Sequence, residues 1–255
     1  MSFSFIKTGN ASVALAEQAE KEAEIRREQT GKLWRFFLSQ IKNSSKYEDA
    51  RITFVDGDLN SEGFLTPPRW YEHMMYLSGT WTNFVCPEKT NPTSGDKCPL
   101  CESGDKPSLV AGFTIIDHRQ YKSQKGDIYA DTRKLFIAKP QTFEILNKMA
   151  VKRNGLAGCS FDVSRTGDKS PSVGSVFDFC EKKPVMEIQA AYMKETTDPK
   201  TNQKTKGTYF IPADYENEIV YRTGAELTAL VGGAPAQTTN NQQSSGSTVD
   251  YAKEL

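Results

Sequence analysis

The sequence lacks most of the features that mark catalysis, secretion or a membrane span. Among its 255 residues there are only two histidines and five cysteines. It contains none of the glycine-rich phosphate loops, nucleophile elbows or paired-histidine zinc motifs of common enzyme classes. No apolar run approaches the roughly 18 residues that a membrane span needs, and no basic start followed by an apolar stretch predicts a secretory signal. An odd number of cysteines, three of them clustered, fits a metal site in a reducing cytoplasm better than disulfides.

The net charge is zero because 32 basic and 32 acidic residues balance. The balance is uneven along the chain, since residues 119–171 contain eleven Lys or Arg and five Asp or Glu. A basic stretch is most often a solvated surface, and the alternative is a surface for a polyanion such as nucleic acid. Charge alone does not decide between these two interpretations.

Short aromatic and β-branched segments predict a mainly β protein of the α+β class, built on an antiparallel sheet or barrel. The predicted strands are 32–38, 51–55, 109–117, 129–138, 158–164 and 185–193, and the predicted helices are 141–152 and 225–231. We place the core domain at residues 32–231, with a zinc module at 70–106.

The two ends of the chain differ in composition from this core. Residues 1–31 are rich in Ala, Glu, Gln, Lys and Arg, which predicts an N-terminal helical arm that is either simply exposed or used for self-association. Residues 232–255 consist mostly of Gly, Pro, Gln, Thr, Asn and Ser. Such a segment buries too little apolar surface to fold, so we predict a disordered C-terminal tail whose last residues could bind a partner.

The most specific pattern is a set of four potential metal ligands within 29 residues: His73, Cys86, Cys98 and Cys101. Two residues separate Cys98 from Cys101 in a Pro-containing turn, so both thiolates can bind one ion. Three sulfurs and one imidazole form a closed structural zinc site, whereas a catalytic zinc keeps one coordination position open for water. The pattern therefore predicts one structural Zn²⁺ and argues against an enzyme.

The spacing leaves the fourth ligand open. His73 lies thirteen residues before the first cysteine of the set and can reach the ion. The alternatives for this position are Glu102, Asp105 and His118. Cys159 and Cys180 fall in strand-like segments, and we interpret both as small buried apolar side chains rather than as ligands.

Aromatic and basic residues alternate around the cysteine segment and again after residue 118. Proteins that bind single strands without sequence preference use this combination, because aromatic faces stack on bases while Lys and Arg follow the phosphates. About half of the aromatic side chains should be buried, since a strand buries alternate residues. Burial of Trp34, Phe36 and Leu38, for instance, would leave Arg35 and Phe37 facing solvent. The predicted contact residues are Lys32, Arg35, Phe37, Arg51, Arg69, Trp70, Tyr76, Trp81, Lys106, Arg119, Tyr121, Lys122, Lys125, Tyr129, Arg133 and Lys134.

The ligand spacing His73-x12-Cys86-x11-Cys98-x2-Cys101 is similar to that of the zinc module in the single-stranded DNA-binding proteins of T-even-type bacteriophages. Several flanking segments also resemble this family, and the resemblance covers about residues 30–190: Trp34-Arg-Phe-Phe-Leu38, Ile52-Thr-Phe-Val-Asp-Gly57, Trp70-Tyr-Glu-His73, Phe113-Thr-Ile-Ile-Asp117 and Phe161-Asp-Val-Ser-Arg-Thr-Gly167. The resemblance implies an OB-fold core, which is a partly open barrel, with an inserted zinc subdomain. It also implies a basic cleft that holds single-stranded DNA and cooperative binding through the N-terminal segment.

We therefore expect a non-enzymatic protein that coats single-stranded DNA during phage DNA replication, recombination or repair. It would act in the cytoplasm of the infected bacterial host, without a membrane, and replication or recombination proteins could bind its C-terminal tail. The alternative is a zinc-stabilised adaptor or transcription-regulating protein that contacts protein partners through residues 70–106. A nuclease is disfavoured because the acids Asp56, Asp58 and Glu62 are explained by a turn rather than by a two-metal site.

Overall fold

The chain divides into two units. Among the residues that the structure describes, the larger unit contains 33–71 and those within 108–215, and the smaller contains 72–107 and 216–231 together with the described positions before 33. The structure, a computed structural model, describes residues 13–14, 16–17, 19–20, 32–77, 80–122, 128–191, 193–197, 204–208 and 210–231.

Strands outnumber helices in the described part of the chain. The strands are β1 (Ala50–Phe54), β2 (Arg69–Leu77), β3 (Thr80–Val85), β4 (Ser108–Asp117), β5 (Tyr121–Lys122), β6 (Ile128–Tyr129), β7 (Thr132–Ala138), β8 (Cys159–Ser164), β9 (Val176–Lys182), β10 (Met193–Thr197) and β11 (Lys204–Thr208). The helices are α1 (Pro87–Thr90), α2 (Pro99–Glu102), α3 (Pro140–Arg153), α4 (Val185–Ala191), α5 (Tyr215–Glu218) and α6 (Gly224–Val231), with a 3₁₀ turn at Pro92–Ser94.

An antiparallel sheet organises the larger unit. Within this unit its order is β2–β4–β1–β8–β9, with only the first three residues of β2 belonging here, and β7 pairs with β4 as well. The register places Ile52 of β1 opposite both Asp117 of β4 and Phe161 of β8. β5 pairs with β6 and β10 with β11 in two short hairpins. The predicted α+β class with a mainly antiparallel sheet is confirmed.

Phenylalanine rings fill the centre of this unit. β1 shows why: its alternation puts Phe54 in the core, fully buried, while Arg51 on the other face is exposed. The Phe54 ring centroid lies 5.7, 5.6 and 5.8 Å from the rings of Phe113, Phe136 and Phe161. Each buried aromatic side chain contributes about 1.5–3 kcal/mol, so these four rings are a main source of the unit's stability.

Helix α3 has clear sequence signals at both ends and confirms the predicted helix at 141–152. Pro140 occupies its first turn, where the missing amide hydrogen costs nothing. Asn154 ends it in the left-handed region at φ 54°, which asparagine tolerates better than most residues. Leu146 and Ala150, four residues apart on one face, are fully buried against the phenylalanine core.

The smaller unit is built on the β2–β3 hairpin, which the sequence patterns did not predict. His73 stands opposite Phe84 and Tyr76 opposite Trp81 in its register. Helix α6 confirms the predicted helix at 225–231, and its Leu227 is fully buried.

The predicted strand at 32–38 is wrong in part. Its pairing is a single parallel bridge between Arg35 and Leu135, not a ladder. Phe36 and Leu38 are buried as expected, but Trp34 is 44% exposed. The chain pairs with β7 only around Arg35, so the regular burial of alternate side chains that a strand ladder would produce does not extend to Trp34.

The predicted strand at 185–193 is also wrong, because residues 185–191 form helix α4. Pro184 directly precedes the helix and its carbonyl accepts the amides of Glu187 and Ile188, which starts a helical turn. The strand predicted at 129–138 is interrupted at Asp131, whose positive φ of 54° separates β6 from β7.

Most of both terminal segments lies outside the described residues. The described positions 13–14, 16–17 and 19–20 are helical and exposed. The rest of the predicted arm at 1–31 and the tail at 232–255 lie outside the described residues. Within the described ranges, no helix has the length and apolar character of a membrane span.

Candidate metal centre

Two similar turns present the three cysteines. Cys86 follows β3 and precedes Pro87, and Cys98 precedes Pro99 in the same way at the start of α2. In each turn the cysteine carbonyl accepts an amide four residues later, from Thr90 and from Glu102. Proline in the first helical position fixes the backbone after each cysteine, so both thiols are oriented before any ion binds.

The four candidate ligands converge in the smaller unit. The Nε2 atom of His73 lies 3.3 Å from the Cys98 sulfur and 3.6 Å from the Cys101 sulfur. The Cys86 and Cys101 sulfurs are 3.6 Å apart, and all four ligand atoms lie within 4.8 Å of one another. His73, Cys86 and Cys98 are buried and Cys101 is partly exposed. This His/Cys₃ cluster could hold one metal ion.

Asp105 orients the histidine. Its carboxylate lies 2.6 Å from Nδ1 of His73, which leaves Nε2 directed towards the sulfurs. Carboxylates commonly hold metal-binding imidazoles in this manner, fixing the tautomer and raising the basicity of the ligating nitrogen. Among the four candidates for the fourth ligand, His73 therefore joins the cluster and Asp105 supports it from behind.

Burial and hydrogen bonding shift the pKa values of two groups in the cluster. Burial lowers the pKa of His73, but hydrogen bonds to Cys98 and Asp105 outweigh it and the net pKa is raised. Burial, followed by the hydrogen bond with Cys86, raises the pKa of the Cys101 thiol far above its ordinary value. A bound cation reverses this effect, because a coordinating thiol is deprotonated.

The start of helix α6 packs closely against the loop that carries Cys98. A Cβ atom on Gly224 would lie only 2.0 Å from the carbonyl oxygen of Lys97, the residue before Cys98. The guanidinium of Arg222 lies 5.9 Å from the ring centroid of Phe84, whose partner across the hairpin is His73. Only glycine permits this approach, so α6 and the ligand loop are fitted to each other.

The other cysteines and the second histidine take no part in this cluster. Cys159 is buried, as predicted. Cys180 is exposed, so the prediction that it is buried is wrong; it lies on the exposed stretch of β9. His118 belongs to the larger unit, where Asp131 lies 2.6 Å from its Nδ1 and Thr53 lies 2.8 Å from its Nε2.

Several predicted DNA contacts instead form a buried ion-pair network in the larger unit. Asp117, whose side chain is fully buried, accepts hydrogen bonds from Arg119 at 2.7 Å and contacts the Lys134 ammonium at 3.0 Å. Tyr121 donates to the same carboxylate, and Arg119 also bonds Glu48 at 2.6 Å. Burial opposes ionisation of Asp117, but Arg119 and Lys134 outweigh it and lower its pKa to about 2. Arg119 and Lys134 are therefore engaged in ion pairs that stabilise the fold.

Other predicted contacts also have partners within the larger unit. Arg51 makes a two-pronged contact with Asp162 at 2.8 Å, and Arg69 lies 4.2 Å from the Phe143 ring. Arg133 donates to the Ile211 carbonyl at 3.3 Å. Trp70 is only 6% exposed and packs against Gly112, so it cannot stack on a base as predicted.

The remaining predicted contact residues are more exposed to solvent or lie outside the part of the chain that the structure describes. Tyr76 is 47% exposed and its ring meets that of Trp81 edge-on at 5.4 Å. Lys106 is exposed, while Lys32, Arg35 and Phe37 are half-buried. Lys125 is not among the described residues, and the side chains of Lys122 and Tyr129 are not described. Sequence reasoning missed Met74, which is 46% exposed two residues before Tyr76 on the same strand.

No protein-family model, no curated protein and no solved structure matches the chain.

Proposed function

We propose that this protein coats single-stranded DNA during phage DNA replication, recombination or repair in the bacterial host cytoplasm. The observation that carries the proposal is the convergence of His73 with the three cysteines, because their spacing is the specific part of the resemblance to the phage proteins. A set of four protein ligands leaves no open position for water or substrate, which favours a structural ion and a non-enzymatic role.

Zinc is the ion that suits this cluster best. With bonds of about 2.3 Å to sulfur and 2.0 Å to nitrogen, a tetrahedral site separates two sulfurs by about 3.8 Å and sulfur from nitrogen by about 3.5 Å. The Cys86–Cys101 separation of 3.6 Å and the two distances from His73 Nε2, 3.3 and 3.6 Å, are close to these edges. Thiolate and imidazole together are also the ligands of structural zinc sites.

An OB-type barrel is supported by the segment at 34–38. Leu135 of β7 donates its amide to Trp34, and Phe36 donates to Leu135 in return. Further along, Leu38 donates to Ser172, in the turn that precedes β9. Since β9 ends the sheet order and β7 pairs with β4 beside that order, this segment links the branch strand β7 to the turn before β9, as the closing side of a partly open barrel would.

The proposed contacts with the strand are aromatic stacking and salt links to phosphate. Tyr76 is 47% exposed and its ring meets the half-buried Trp81 on the hairpin of the smaller unit that also carries His73. Lys106 is an exposed cation of the same unit. In the larger unit the half-buried Arg35 and Phe37 are the candidates. Stacking contributes about 1–3 kcal/mol per base, so a few such residues suffice for sequence-independent binding.

The metal hypothesis is tested by metal content and by a matched pair of variants. Purified protein should contain one zinc per chain, and Cys98→Ser should release it and loosen the smaller unit. Cys180→Ser is the control, because Cys180 is exposed and outside the cluster, and it should retain the ion. Full retention of zinc by Cys98→Ser would contradict the assignment.

The DNA hypothesis is tested by titration with single-stranded and duplex oligonucleotides at several salt concentrations. Single strands should bind tighter than duplex, without sequence preference, and the affinity should fall as salt rises because bound counterions are released. Equal or tighter binding to duplex would refute the proposal.

A second candidate is an adaptor that binds protein partners through residues 70–106. Met74 and Tyr76 favour it, since both are nearly half exposed on one face of β2. An adaptor would bind a partner through this face while showing no affinity for oligonucleotides. Replacing both by Ser and measuring oligonucleotide binding separates the two roles, because only the DNA-binding role predicts a loss.

A further inference from the structure

Helix α3 carries a cationic groove that was not among the predicted contacts. The groove has a volume of about 300 Å³. It is lined by Ile145, Lys148, Met149, Lys152 and Arg153. Ile145, Met149 and Arg153 are half-buried, while Lys148 and Lys152 are exposed. The sequence patterns did not single out these cations because they lie on a predicted helix rather than among aromatic residues.

Two of these cations are available for an external anion. Lys148 and Lys152 are exposed, and no carboxylate of the described residues lies within salt-bridge distance of either. Neighbouring lysines differ: Lys182 donates to three carbonyls at the end of α3, and Lys183 is paired with Glu181 at 2.7 Å. Cations near a helix C-terminus stabilise its dipole by a few tenths of a kcal/mol, but this needs no groove between them.

An aromatic side chain continues the groove at one end. The guanidinium of Arg153 lies 4.0 Å from the ring centroid of Phe179 on β9, and this ring is 41% exposed. Planar guanidinium groups and aromatic rings both stack on nucleobases. The face therefore combines a stacking element with two unpaired ammonium groups.

We propose that the α3 groove and Phe179 form a second contact surface for single-stranded nucleic acid. From Arg153 to Ile145 the helix rises about 12 Å, and a strand advances about 3.4 Å per nucleotide, so the surface holds about three nucleotides. An amphipathic peptide fits less well, because only two half-buried apolar side chains line the groove. The inference rests on the proposed DNA-binding function and adds a site to it.

The test is a double variant, Lys148→Ala with Lys152→Ala, compared with Lys42→Ala with Lys46→Ala. Both pairs remove two exposed lysines of the larger unit, and only the first pair lies on the groove. Alanine is a good helix former, so α3 should remain folded, which circular dichroism checks. Binding of a fluorescein-labelled oligothymidylate is followed by anisotropy at several salt concentrations.

Each phosphate contact contributes about 0.7 to the slope of log affinity against log salt for a single strand. The groove variant should lower this slope by about 1.4, and the control pair should leave it unchanged. Ultraviolet cross-linking to the same oligonucleotide should recover a peptide that contains Phe179. Equal slopes for both pairs would overturn the inference and leave the proposed function standing. No binding of the oligonucleotide by the unaltered protein would refute the proposed function itself.

Discussion

Replacing Asp56 by Asn should remove a loss of folding stability that occurs as the pH rises. Asp56 follows β1, and its carboxylate accepts the Thr114 amide at 3.0 Å and the Tyr215 hydroxyl at 2.6 Å. Burial raises the pKa of Asp56 from 3.8 to about 6, although these two hydrogen bonds act to lower it. The carboxyl group therefore stays protonated up to a higher pH in the folded chain than in the unfolded chain.

The sign of the effect follows from proton linkage. Between pH 3.8 and about 6 the folded chain binds more protons than the unfolded chain at Asp56, so stability falls as pH rises. The contribution of the protonated carboxyl is fully present below the unfolded pKa and is lost as pH passes the folded pKa. At about 1.36 kcal/mol per pKa unit, the loss is about 3 kcal/mol at neutral pH.

The asparagine variant carries no charge at any pH and can keep both hydrogen bonds. Its amide oxygen can accept from Thr114, and its amide nitrogen can donate to the Tyr215 oxygen. Urea unfolding at about pH 4 and about pH 7 gives the free energy of unfolding of both proteins. Relative to the unaltered protein, Asp56→Asn should gain about 2.4 kcal/mol between these two conditions, because part of the loss has already occurred at pH 4.

Glu62→Gln is the control, because Glu62 is exposed and is not among the groups that shift the pKa of Asp56. It removes the same charge without a buried site, so its difference from the unaltered protein should stay nearly constant with pH. Contributions from the metal ligands are common to all three proteins and cancel in the comparison. A constant difference for Asp56→Asn as well would refute the reasoning.

Three further substitutions test other parts of the structure. Asp105→Asn should weaken metal binding about 10–100-fold, because the histidine ligand loses its orienting carboxylate, and competition with a chelator measures this. Asp117→Asn should cost about 3–5 kcal/mol in urea unfolding at neutral pH, since it leaves Arg119 without its buried partner; a cost below about 1 kcal/mol would contradict this. Gly224→Ala should destabilise the smaller unit by about 1–3 kcal/mol, because the new Cβ meets the carbonyl of Lys97; an unchanged Tm would show that the loop adapts freely.

The metal centre could be predicted from the sequence because its parts are local. Cys98 and Cys101 share one turn, and Cys86 reaches them through a loop of eleven residues. The histidine was less certain, since its place depends on the register of the β2–β3 hairpin, which sets His73 opposite Phe84. That register is a tertiary fact, and short apolar patterns do not determine it.

The sequence predicted a strand where the structure has helix α4, because a segment this short contains too few residues to distinguish the helical period from the strand period. In residues 185–193 the apolar residues fit alternation almost as well as a helical face, and Ile188 is the only described side chain of α4 that is buried. The segment begins as a helix at Pro184, whose carbonyl accepts the amides of Glu187 and Ile188. Helix α3 was predictable since its pattern runs over fourteen residues, with Pro140 at its start and Asn154 at its end.

The sequence shows how many charged residues the chain has, whereas oligonucleotide binding depends on which of them are already in ion pairs. Arg119 meets Glu48 from 71 residues away, and Arg51 meets Asp162 from 111 residues away, so no local pattern shows that these guanidinium groups are occupied. A paired cation that must leave its carboxylate to reach a phosphate gives up one ion pair for another. The salt slope of oligonucleotide binding therefore counts unpaired cations rather than basic residues. If Lys148 and Lys152 are the two cations of residues 119–171 that contact phosphates, this region contributes about 1.4 to that slope, far less than its eleven cations suggest.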